Sequence, residues 1–464
     1  MFTRQSFYYP SVLLLTLAAV IGGSFALADS AADPDPTYPA SQIREDFAEL
    51  YQTLEASHYD LFINLARDDY NRAYQQYLEQ FDRPLPRSEI IHRFQQFVAL
   101  GHIAHARIES DGQAYNQYMQ DGGRILPLDL RIDRGRVYIA DQYSGQPQPA
   151  PGSEVLTIEG QPALARIQHM QQQLSADSDY LAHTMLEFQF QRLLWRDYGP
   201  RDAYTLTVRD NSGAVQTVQI PTLTPETARR NAAASPLLAL SWSAREYRML
   251  TETTGYLRPG PFYNTEGDDL WDQRDFVKWI DQAFNHFINA DAKQLIVDLR
   301  NNPGGDNSFS DPMIAWFADR RFRFYKHFWV KVSEAAIAAN QQRLAANSLN
   351  DVSQRYAREY AQRQPGDIIE FEFPYTQPRQ DRCYQGAVYA LVNRHSYSNT
   401  VTVAAILQDY GFATIIGEET ADLATTLGAM EHFELTHTGI KVGFPKAQII
   451  RPNGDLTRRG VQPD

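Results

Sequence analysis

One cysteine in 464 residues, Cys383, leaves this chain without an internal disulfide, so its fold must rest on packing. The sequence has no G-x-S-x-G turn, which excludes the common α/β-hydrolase nucleophile arrangement. No serine is followed three residues later by lysine, which removes the penicillin-binding and β-lactamase type. There is no H-E-x-x-H, no phosphate-binding Walker loop and no EF-hand loop, and the pair His102 and His105 is too isolated to nominate a metal site. Positive charge is also short: 43 Lys and Arg face 56 Asp and Glu, a net charge of −13. So acidic a chain is a poor partner for nucleic acid or an anionic membrane surface.

Long hydrophobic runs are missing beyond the first residues. There, a single charge at Arg4, an apolar run over 12–21 and small residues at Ala26 and Ala28 predict a secretory signal, residues 1–28, with cleavage after Ala28. The run is short for a bilayer and two glycines follow it, so no stable membrane anchor is expected after cleavage, and the product would be periplasmic or secreted.

What is present is enough for two or three folded units, at 43% hydrophobic and 12% aromatic residues. Ile43, Phe47, Leu50, Tyr51 and Leu54 share one helical face, and the periodicity continues to about Glu109, predicting three or more helices in a region spanning 29–118. From Ile125 short alternating runs predict a small β-rich module over 119–225, with a helix near 166–174 and a hairpin turn at "DNSG". Residues 226–243 read as a linker. Thereafter strands alternate with helices, including an amphipathic helix over 270–288, and a largely parallel α/β sheet is expected within 226–464.

Two strand ends carry the chemistry. "LIVDLRNNPGGDNS" runs a buried strand into Gly304 and Gly305, where backbone N–H groups can turn outward to meet an anion, although an ordinary turn would look the same. "LVNRHSYSNTVTVAAILQDYGFATIIGEET" reads as strand, polar turn, helix and strand, with Ser398 or Asn399 at the helix N-cap. A serine there is either a cap or a nucleophile exposed near free N–H groups.

Together these stretches resemble the C-terminal-processing (tail-specific) serine peptidases and their tricorn-core relatives, with "TTGYLRPGPF", "PGSEVLTIEG" and "GVQPD" matching weaker elements in the family's order. The resemblance implies a crotonase/ClpP-like α/β peptidase core, a PDZ-like peptide-holding module and a polypeptide substrate, with no metal or organic cofactor. It places the nucleophile at Ser398, leaving Ser396 a turn residue, and the oxyanion hole at the amides of Gly304, Gly305 and Asn399. The family's Ser-Lys branch keeps a lysine about 25 residues after the serine, where "TADLATTLGAM" has none. The Ser-His branch instead points to His105 in "GHIAHAR", with His102 as competitor. That branch's acid falls on Thr457, so Asp455 is the possible orienting acid. Two alternatives stay open: a catalytically inactive peptide-binding protein on the same fold, and a hydrolase of non-peptide esters or amides.

Overall fold

The computed structural model describes residues 35–109, 112–233, 242–267 and 269–464. The expected signal segment, 1–28, lies outside them. Among the described residues no helix is long and apolar enough to cross a membrane.

The N-terminal periodicity becomes three helices, Ala40–Ser57, Arg67–Glu79 and Arg87–Ala99. Their shared face is aromatic: Phe47 meets Phe97 edge-on at 4.7 Å, and Tyr70 meets Phe97 at 5.0 Å. This face does not close on itself but packs against Leu427, Val442 and Phe444 near the other end of the chain. The helical region is therefore part of the core that holds the C-terminal strands.

In the 119–225 region, five strands lie side by side in the order Leu128–Asp133, Arg136–Gln142, Glu154–Ile158, Ala203–Arg209 and Val215–Pro221, all antiparallel. The "DNSG" turn joins the last two, with Asp210 Oδ1 accepting from Ser212 N and Ala214 N. The expected helix is Ala163–Gln171. A second, 20-residue helix, Asp179–Tyr198, starts at Ser178, whose hydroxyl accepts from Leu181 N. The expected linker begins as a helix, Pro225–Ala233.

The C-terminal part holds a five-stranded sheet in the order Glu246–Met249, Thr254–Arg258, Gln294–Asp298, Ala387–Val392 and Thr414–Gly417. The first pair is antiparallel and the rest are parallel, as the alternating strands and helices require. A second, antiparallel sheet contains the long strands Thr426–Glu434 and Lys441–Ile450. The short strand Arg107–Ile108 adds to it by pairing with Val442 and Gly443. That pairing carries the segment containing His105 across the molecule to the C-terminal sheets.

Candidate active site

The two loops singled out in the sequence leave adjacent parallel strands and are stitched together. Asn393 Nδ2 donates to Asn301 Oδ1 at 2.7 Å, Tyr397 N to Asn302 O at 3.0 Å, and Ser396 Oγ to Leu299 O at 2.9 Å. Ser396 also accepts from Asn393 N, so its hydroxyl is used as donor and acceptor within the turn. Behind them, buried Asp298 accepts from Tyr256 Oη at 2.7 Å and pairs with Arg258 and Arg300. Burial would raise that carboxyl, but the bonds from Arg300 and Tyr256 hold it below its ordinary value.

Ser398 is the residue before helix Asn399–Tyr410, with φ 54° and ψ −126° and no side-chain capping bond. Such a conformation costs a non-glycine residue about 1–3 kcal/mol and persists where the surroundings enforce it. Here Asp422 does so: its Oδ2 accepts from Ser398 N at 2.7 Å and its Oδ1 from Leu423 N at 2.9 Å. Burial pushes the Asp422 carboxyl up to about 6 against those two bonds.

Gly304 lies against this turn. A Cβ there would fall 2.6 Å from Tyr397 O, 2.8 Å from Ser398 Cβ and 2.9 Å from Asn399 N, and φ is 92°. Of the three expected oxyanion donors, the Gly304 amide is already bound to Asn302 Oδ1 at 3.0 Å, whereas those of Gly305 and Asn399 donate to nothing among the described residues.

His105 is buried and its ring lies nearly parallel to that of Tyr397, centroids 6.3 Å apart, which puts it beside the residue preceding Ser398. The imidazole donates to the Leu427 backbone carbonyl, while Nδ1 has no partner among the described residues. His105 and Ser398 Oγ are not hydrogen-bonded to each other. His102 is exposed, with φ 50°, and its carbonyl accepts from Asn64.

The carboxylate acting on His105 is Asp177, a residue that no sequence motif singles out. Its Oδ2 accepts from Ala104 N at 3.0 Å and its Oδ1 pairs with Arg458 at 2.5 Å. Burial pushes His105 below its ordinary value, and the Asp177 charge opposes that shift. The expected acid, Asp455, does not come to His105. It closes its own loop by accepting from Thr457 N at 2.9 Å, lies 4.0 Å from Arg459, and is held below its ordinary value chiefly by the Thr457 backbone bond. Thr457 is exposed. Among the described residues no group of three His, Cys, Asp or Glu could hold a metal ion.

The loop pair thus brings together a strained serine at a helix entry and backbone amides of Gly305 and Asn399 that donate to nothing among the described residues, with buried His105 beside Tyr397. Residues 254–464 match the family model described as peptidase family S41, and this part of the chain belongs to that family of C-terminal-processing peptidases. No curated protein matches the sequence. Among solved structures, mature CPAF complexed with lactacystin aligns over 91% of this chain and 93% of its own, with 14% identity and a TM-score of 0.65. The structure of mature CPAF aligns over 91% and 92% with 14% identity and a TM-score of 0.62. The photosystem II D1 C-terminal processing protease aligns over 91% and 92% with 16% identity and a TM-score of 0.47. The likeness to CPAF is one of fold, and it extends across the helical region and the β-rich module as well as the matched residues.

Proposed function

We propose that this chain is an exported serine peptidase working through an acyl-enzyme. Ser398 Oγ bonds to the peptide carbonyl carbon as His105 takes its proton. The negative charge on the carbonyl oxygen is met by the amides of Gly305 and Asn399, with Gly304 fixing the loop. The C–N bond then breaks as His105 returns the proton to the leaving amine, and water releases the acyl group by the same route. The observation that carries this reading is the strained Ser398 at the helix entry, with Gly304 pressed against its Cβ. Asp177 takes the place assigned to Asp455, as the charge that favours the imidazolium. The 119–225 region is read as a PDZ-like module that holds the polypeptide at a sheet edge, and the 226–464 region as a crotonase/ClpP-like core.

A fluorophosphonate probe tests the reading. Labelling of the purified protein, mapped by mass spectrometry to Ser398 and unchanged in His102→Ala, is the expected result. The missing bond between His105 and Ser398 favours a second reading, a binding protein without catalysis, and an unlabelled Ser398 would select it.

Gly304→Ala offers an independent check on the oxyanion geometry. The added methyl must displace Tyr397 O, Ser398 or Asn399 N, and alanine is strained at φ 92°. Peptide turnover is expected to fall by about a hundredfold, as for loss of one oxyanion donor. An active Gly304→Ala enzyme would move the oxyanion hole elsewhere.

A further inference from the structure

We infer that the cavity beside Ser398 is a side-chain subsite that selects tyrosine next to the scissile bond, an inference that rests on the peptidase reading above. The cavity has a volume of about 260 Å³. Three of its lining residues are chain neighbours of the reacting groups: Ala104 precedes His105, Pro303 precedes Gly304, and Tyr397 precedes Ser398. The reacting groups themselves do not line the cavity, and in this proposal the side chain flanking a carbonyl held at Ser398 reaches it past Tyr397.

The far wall is apolar and aromatic. Leu181, Met185 and Phe188 come from helix Asp179–Tyr198, and Trp242 packs on Phe188 with ring centroids 4.6 Å apart. Such walls favour a flat, largely apolar side chain. The lining charges disfavour ionic ones. A lysine or arginine would find no free carboxylate there, since Glu109, Glu187 and Glu418 are already engaged by Arg107 and Arg394. An acidic side chain finds Arg394 committed to Glu187 and Glu418, and Arg107 to Glu109.

Gln173 makes the choice between aromatic side chains. It lines the cavity and is 2% exposed; both the oxygen and the nitrogen of its side-chain amide are buried behind the wall without a hydrogen-bond partner among the described residues, so a ligand meets them when the side chain turns toward the cavity. Its backbone is fixed, since Gln95 Nε2 donates to Gln173 O at 3.1 Å. A phenol hydroxyl donates to an amide oxygen or accepts from an amide nitrogen, whereas phenylalanine would leave both unpaired. A site with an unpaired buried polar group discriminates against the analogue that cannot satisfy it.

The test is to digest a mixture of unfolded polypeptides with the whole protein and map the cut sites by mass spectrometry, then measure matched tyrosyl and phenylalanyl peptides. Tyrosine beside the cut, with kcat/KM about tenfold above phenylalanine, is the expected result, and Gln173→Leu should bring that ratio close to one. The ratio does not depend on how much of the variant folds. Cuts beside small or cationic residues, or a ratio that Gln173→Leu leaves unchanged, would overturn the subsite while leaving the peptidase reading in place. If the fluorophosphonate fails to label Ser398, the peptidase reading falls. Calorimetric binding of the same two peptides then decides the cavity by itself: equal affinities refute it, and a tyrosine preference lost in Gln173→Leu supports it.

Discussion

Ser398→Ala is expected to abolish both fluorophosphonate labelling and peptide turnover while leaving the fold intact. The hydroxyl makes no capping bond to helix Asn399–Tyr410, so its loss takes no cap from that helix. What anchors the turn is the backbone bond from Ser398 N to Asp422, which alanine keeps. Thermal unfolding should therefore shift by little more than measurement error. Ser396→Ala should behave in the opposite way. That hydroxyl is fully buried and bonded to Leu299 O and Asn393 N, and removing it costs on the order of 1–3 kcal/mol while sparing the nucleophile. Activity retained in Ser398→Ala, measured with the probe and with peptide, would end the assignment of the nucleophile.

The Ser398 turn and the paired-glycine loop are legible in the sequence because each is a local event. A buried strand ends, small residues follow, and a helix starts a few positions later. The three N-terminal helices are legible for the same reason, from the spacing of Ile43, Phe47 and Leu54. His105 is legible only through the family motif. What makes it part of a site is the pairing of Arg107–Ile108 with Val442 and Gly443, and a strand contact between opposite ends of the chain leaves no mark in either local pattern.

The acids are not legible. Asp177 stands just before Ser178, and the local signal there is a helix cap; its second role depends on Ala104 and Arg458 arriving from opposite ends of the chain. Asp422 lies 24 residues after Ser398, in a segment whose plainest feature is the absent lysine, and nothing local marks its carboxylate as buried. Asp455 is suggested by its nearness in sequence to "GVQPD", but an Asx turn onto Thr457 N closes its loop away from His105. The helix Asp179–Tyr198 is hidden because its buried positions include Thr184 and Arg192 beside Leu186 and Phe190, which blurs the apolar stripe.

His105→Ala and Asp177→Asn are expected to give the second large loss, and together they separate a catalytic base from the residue that positions it. Removing the imidazole takes away the proton acceptor, a loss of about a hundredfold to ten-thousandfold in turnover. Burial keeps His105 unprotonated below its ordinary 6.5, so the acid limb of kcat/KM should lie below that value. Asp177 acts through His105 in two ways: it holds Ala104, the preceding residue, and its charge stabilises the imidazolium formed during transfer. Asp177→Asn should therefore lower the rate by about a hundredfold or more. Because Asp177 raises the His105 pKa, its neutralisation should also move the acid limb to still lower pH. A merely structural role would reduce the rate without moving the limb. Asp455→Asn serves as the control, since its carboxylate serves its own loop, and its rate and pH profile should match the unmodified protein. A large loss in Asp455→Asn with a silent Asp177→Asn would return the orienting role to the C-terminal segment.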